Sequence, residues 1–210
     1  MEDTRDQIRA AALELFVRQG YEVTSLREIA DRVGITKASL YYHYPSKQAL
    51  LTSIVDPLVK GWERLGAEVV ALPQTPEHKR FALDAYLDMM LGHRAIVTLL
   101  MRDAGAVLAV FAPTVDNVTA TVRQVQRWLA GPEPSGPDRI RAQVALDTIG
   151  VAMSSGSLLP EVTEDDLRTT LLDAACAVLR LPPPAGGAIG APVPTVPSAP
   201  PVAPGVGGRR

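Results

Sequence analysis

Between Gly20 and Pro45 the chain has room for two short helices and little else. Gly20, Gly34 and Pro45 each stop a helix, the glycines by taking a left-handed C-terminal position and the proline by lacking a donor. Each stop is followed by a hydroxyl able to accept the first amides of a new helix: Ser25, Thr36 and Ser46. Ser25 also has Glu28 three residues on, the spacing at which the hydroxyl takes an amide of the first turn and the carboxylate reaches back to the Ser25 N–H. These signals predict a helix from about Thr4 to Gly20, short helices over 26–33 and 37–44, and a third starting at Lys47. That last helix is long, extends to about residue 71, and contains Pro57, which is expected to kink it.

The rest of the chain keeps the same three-and-four spacing of apolar residues. Ile8, Ala11, Ala12, Leu15 and Phe16 form one stripe, and Leu167, Leu171, Leu172, Ala175, Val178 and Leu179 another. No stretch alternates strictly between turn residues, so the fold class is all-α. Pro73 with Pro76, Pro113, the run 131–137 and Pro160 are the remaining breakers, which gives about nine helices. Composition matters at the end of the chain. Residues 182–210 hold nine of the 18 prolines and six of the 16 glycines, with Arg209 and Arg210 as the only charges. Such a segment buries too little apolar surface to offset its ordering entropy, and a disordered tail is expected.

Several function classes fall away. One cysteine, Cys176, allows neither an intramolecular disulfide nor a thiolate metal cluster. The three histidines, His43, His78 and His93, lie far apart, and no phosphate-binding loop, dinucleotide fingerprint or metal-binding His pair is present, so no enzyme, cofactor or metal is expected. The acidic N-terminus carries no secretory pattern, and the uncharged runs 104–115 and 148–160 are shorter than a membrane span, so a cytoplasmic protein without membrane contact is expected.

Two short helices joined by a glycine turn, with Ile35 as an apolar anchor, form a helix-turn-helix. The second helix has thin apolar anchoring, mainly Leu40, while Lys37, Ser39, Tyr41, Tyr42 and His43 supply donors and flat rings. A core helix would not carry so many polar tips. Net charge is −2, and residues 1–50 balance seven basic against seven acidic side chains. From Arg32 to Lys47, however, there are three basic residues, one histidine and no acid, a stripe suited to phosphate or simply to solvent.

The order from Thr24-Ser25-Leu26-Arg27-Glu28-Ile29-Ala30 through Gly34-Ile35-Thr36-Lys37-Ala38-Ser39-Leu40-Tyr41-Tyr42-His43-Tyr44-Pro45-Ser46-Lys47 closely resembles the DNA-binding signature of the TetR family. The preceding Ala11-Ala12-Leu13-Glu14-Leu15-Phe16 and Gly20-Tyr21 resemble that family's first helix and its ending. Thr36, Ala38 and Tyr44 stand where the family often has Ser, Gly and Phe. The resemblance covers about residues 5–60 and implies a DNA-binding domain over 1–47. Within it, Lys37 is the candidate for guanine O6 and N7, with Ala38 and Ser39 beside it in the groove. Thr36, Tyr41, Tyr42 and His43 are expected at backbone and bases, Lys47 at a phosphate, and Thr24 and Ser25 at a second phosphate over a helix N-terminus.

The same resemblance implies a regulatory and dimerisation domain over 48–181. An effector pocket is expected among its middle helices, with Trp62, Phe81, Tyr86 and Met89 as candidates together with Met90, Met101, Phe111 and Trp128. His93 and Arg94 could orient a ligand or sit at a helix end in water. Helices over 138–159 and 163–180 are the expected homodimer interface, through Leu146, Ile149, Gly150 and Met153 on one and Leu167, Leu171, Ala174 and Val178 on the other. A monomer core would show the same pattern. The function implied is a dimeric repressor of a double-stranded DNA operator, released by a small-molecule effector. The alternatives are an activator of the same fold and a helical interaction module working through its Pro-rich tail, where Pro194–Pro197 and Pro201–Pro204 have polyproline spacing.

Overall fold

A computed structural model of the chain describes residues 4–155 and 161–183, with the backbone alone over 106–117 and 151–155. The expected tail, from residue 184 on, lies outside the described residues. The described part is helical, in the order α1 (Thr4–Gln19), α2 (Leu26–Val33), α3 (Lys37–His43), α4 (Lys47–Val70), α5 (Pro76–Gly92), α6 (Arg94–Arg102), α7 (Ala104–Ala130), α8 (Gly136–Ser155) and α9 (Glu164–Val178).

The local start and stop signals produce the first four helices. Gly20 and Gly34 take φ of 101° and 79°, a region costly for any residue with a Cβ. Ser25 Oγ accepts from the Glu28 amide at 3.2 Å while Glu28 Oε2 accepts from the Ser25 amide at 2.7 Å. Hydrogen bonding to the carboxylate by the Ser25 backbone N–H, and next by the Ser25 side chain, holds the Glu28 carboxyl below its ordinary pKa. Thr36 and Ser46 cap α3 and α4 through the amides of Ser39 and Ala49.

α1 turns Ile8, Ala12, Leu15 and Phe16 inward against α2 and α4. α2 adds Leu26, Ile29 and Ala30, and α3 buries Leu40 alone. α4, 24 residues and therefore about 36 Å long at ~1.5 Å per residue, leaves this three-helix head and becomes part of the second half of the protein. It runs through Pro57 as one helix. There it packs on α5 and α7, while α8 lies against α7 and α9. Leu83, Leu87, Leu99, Leu129 and Ile149 fill the interior, and Trp128 Nε1 donates to Leu72 O at 3.0 Å, tying α7 to the end of α4.

Two breaks differ from expectation. Pro113 does not divide α7, which continues through it. The chain instead breaks at His93 and Asp103, residues that end one helix and begin the next with φ near −115° and −109° and no side-chain cap. α6 is thereby a nine-residue strut turned back onto α1, and the contacts that reward this turn are non-local.

The α4–α7 crossing depends on Gly66, where an added Cβ would land on Thr121 Cγ2. Gly66→Ala is expected to lower stability by about 1–3 kcal/mol through overpacking, measured by urea unfolding followed by circular dichroism.

Candidate nucleic-acid interface

α3 is held from below and open above. Leu40 is fully buried, and Tyr44, at the end of the helix, is 5% exposed with Arg5 stacked 5.6 Å over its ring. On the outer side Lys37, Ala38, Tyr41 and Tyr42 are all exposed, residues i, i+1, i+4 and i+5 of one helical face. Tyr42 is 88% exposed and Tyr41 44%, so neither ring belongs to the core. Lys37 Nζ lies 5.6 Å over the Tyr41 ring, and Tyr42 meets the His43 ring edge to face at 5.5 Å. A face of two large aromatic rings, an ammonium and an imidazole costs apolar hydration, which a ligand would relieve.

The basic stripe is narrower than its composition. Arg32 makes a two-pronged bond to Glu14, at 2.6 and 2.8 Å, and so spends its charge on α1. Lys47, expected at a phosphate, donates to three backbone carbonyls instead. Thr24, also expected at a phosphate, is 1% exposed, and its hydroxyl donates to Gly20 O and accepts from Gln19. Ser25 remains exposed at the N-terminus of α2, whose first amides and dipole suit an anion. Thr36 is exposed at the N-terminus of α3, and Ser39 is half-buried one turn on.

In the second half, Trp62 and Tyr86 lie together with ring centroids 4.8 Å apart. They are 8% and 7% exposed, so both rings lie in the packed interior. Burial raises the Tyr86 pKa, so its hydroxyl stays neutral. Met90 is buried, Met89 and Phe81 are half-buried, and Gly150 lies against Tyr86. Met101 is 52% exposed and outside the packed core, and the indole of Trp128 is occupied by Leu72. Phe111 falls outside the described side chains. A separate open cleft of about 460 Å³, lined by neither ring, lies along α4 between Asp56, Pro57, Lys60, Glu63, Arg64 and His93. His93 Nδ1 is 2.9 Å from Met89 O, and Arg94 begins α6.

The residues expected at a dimer interface divide. Leu146 and Ile149 are buried inside the protomer and serve its core, while Gly150 is half-buried beside Tyr86. Leu167, Leu171, Ala174 and Val178 are half-buried on α9, and Met153 falls outside the described side chains. Among the described side chains of α8, the exposed large apolar ones are Ile140, 65% exposed, and Val144, 42% exposed, one turn apart. Among the described residues no cluster of three or more His, Cys, Asp or Glu could hold a metal, and no helix is long and apolar enough to cross a membrane.

A short helix rooted by one leucine, presented by a glycine turn and exposing an aromatic and cationic face, defines a helix-turn-helix DNA-binding protein. Comparison with known proteins agrees. The profile for bacterial regulatory proteins of the tetR family matches residues 8–54. The HTH-type transcriptional activator FasR of Mycolicibacterium smegmatis is 35% identical over 96 residues, which cover 42% of this chain and 41% of FasR. The uncharacterized HTH-type transcriptional regulator TtgW of Pseudomonas putida is 32% identical over 94 residues, covering 38% of this chain and 70% of TtgW. The ketosteroid transcriptional regulator KstR2 of Mycobacterium tuberculosis shares the fold, with a TM-score of 0.71 over 86% of this chain and 95% of that one at 18% identity. The chain belongs to the TetR family of transcriptional regulators, a family of DNA-binding regulators and not of enzymes. Its match spans less than half the length of FasR.

Tyr42→Ala removes a ring that touches little of the protein. It is expected to change unfolding free energy by less than about 0.5 kcal/mol while weakening retention of duplex DNA in a mobility-shift assay.

Proposed function

We propose that the chain is a dimeric repressor that reads duplex DNA with α3 and is released by a small-molecule effector bound in its second half. The observation that carries this reading is the exposed face of α3, where Tyr42 is 88% in solvent on a helix whose only buried residue is Leu40. Lys37 donates to guanine O6 and N7, Ala38 and Ser39 lie beside it in the major groove, and Thr36, Tyr41, Tyr42 and His43 meet backbone and flanking bases. Ser25, with the first amides of α2, takes a phosphate. Residues 1–47 form the reading domain and 48–181 the regulatory domain, working in the cytoplasm.

A two-fold dimer places two such helices on half-sites about 34–36 Å apart. The open face of α8, with Ile140 and Val144, is the surface that a second copy covers, joined by the half-buried residues of α9. The effector lies against Trp62 and Tyr86. A largely apolar molecule packing on these two rings fits there, and tighter binding to one arrangement of the helices lowers operator affinity. Activation is the second reading, since the relative FasR is named an activator. A reporter downstream of the selected operator separates the two by the sign of its response.

Selection of duplexes from fragmented genomic DNA with the purified chain tests the reading, and a two-fold symmetric consensus is expected. On that duplex Lys37→Ala should weaken binding by about 1–3 kcal/mol and relax preference at one base pair of each half-site. Ile140→Lys with Val144→Lys should give a monomer by light scattering and lose binding to the full operator.

A further inference from the structure

The turn that joins α1 to α2 is gripped from two sides by charged groups spent entirely on backbone. On one side Lys47, the first residue of α4, places Nζ 2.8 Å from Tyr21 O, 2.9 Å from Glu22 O and 3.1 Å from Thr24 O. The same ammonium sits 4.5 Å over the Tyr21 ring. An ammonium has three N–H bonds, and three carbonyls use them all. A DNA phosphate could take one only by breaking a charge-assisted bond already made.

On the other side stands the junction of α6 and α7. Asp103 Oδ2 accepts the Tyr21 amide at 2.8 Å. Asp103 begins α7, where a carboxylate ordinarily caps its own helix, yet it makes no capping bond there and is given over to Tyr21. Beside it Arg102 donates to Val17 O at 2.6 Å and Arg18 O at 3.3 Å, carbonyls at the open end of α1. One peptide therefore links the two grips: the Tyr21 N–H goes to a carboxylate of the second half, and its C=O goes to the ammonium at the foot of α4. Both bonds are charge-assisted and stronger than neutral ones. Thr24 locks the same turn through its buried bond to Gly20 O at 2.7 Å.

We propose that Lys47 and Asp103 are positioning residues that set the reading head, and that neither contacts DNA. Residues 21–24 lead directly into α2, on which α3 packs, so releasing either grip lets both helices shift while the face of α3 keeps all its groups. The inference rests on the reading of α3 as the DNA-contacting helix. Lys47 offered itself as a phosphate ligand by sequence, and the two roles differ in a measurable sign.

The test uses the full chain with two probes, a duplex selected by the wild-type protein and a random-sequence duplex of equal length, titrated across a series of salt concentrations. Lys47→Met keeps the length of the stem and removes the donors. Its affinity for the selected duplex should fall about tenfold, while the slope of log K against log salt stays that of the wild type. A phosphate contact predicts instead a slope shallower by about 0.9 on both probes, and that result, or unchanged affinity, overturns the proposal. Asp103→Ala supplies a second arm if Lys47→Met fails to fold. Removing a negative charge should tighten binding if charge alone matters. The positioning role predicts several-fold weaker binding to the selected duplex, partly recovered by Asp103→Asn, which keeps an acceptor for the Tyr21 amide. Tighter or unchanged binding by a folded Asp103→Ala overturns it. A wild-type chain that retains neither duplex defeats the regulator reading itself, a result distinct from any of these.

Discussion

A helix of seven residues that buries a single leucine cannot exist alone, because too few bonds repay its nucleation. α3 persists because Thr36 caps it, Leu40 anchors it, and Tyr44 is trapped under Arg5 at its exit. This poverty of internal support is what leaves its outer face free to carry rings and charges. The surrounding architecture compensates. α1, α2 and α4 supply an interior of Ile8, Phe16, Ile29 and Leu50 into which Leu40 fits, and α4 carries that interior onward into the second half of the protein.

Charge in the head follows the same division. Arg32 is held by Glu14 and Lys47 by three carbonyls, so two of the three cations in the acid-free stripe keep helices in place. Lys37 stays over an exposed ring on the open face. The exposed face of α3 is consequently more aromatic than basic, and under the proposed reading it works at close range more than by bulk attraction to phosphate. That agrees with a net charge of −2, too small and of the wrong sign for long-range attraction to DNA.

The start of each early helix was legible because a cap is a bond between residues two or three apart. Ser25 with Glu28, Thr36 with Ser39 and Ser46 with Ala49 need only their own segment, and the structure contains all three. The breaks at His93 and Asp103 have no such mark. Asp103 ends α6 because its carboxylate is engaged by Tyr21, 82 residues earlier, and no spacing rule spans that interval. Pro113 misled for the converse reason: a proline removes one donor, and packing against α4 can outweigh the loss. Leu146 and Ile149 carried an interface pattern that periodicity cannot distinguish from a core, since burial in the protomer and burial against a partner demand the same residues.

The amino-acid order alone determined that the chain is helical, where its first four helices begin, and that a short helix would display Lys37, Tyr41 and Tyr42. Those properties follow from local hydrogen bonding and from the spacing of apolar residues along a helix. Only the tertiary structure decided which cations are free. Lys37 and Lys47 stand ten residues apart within one basic stripe, each at the start of a helix and each expected at DNA. One faces solvent over a ring, and the other is drawn under the α1–α2 turn by carbonyls that folding leaves without partners.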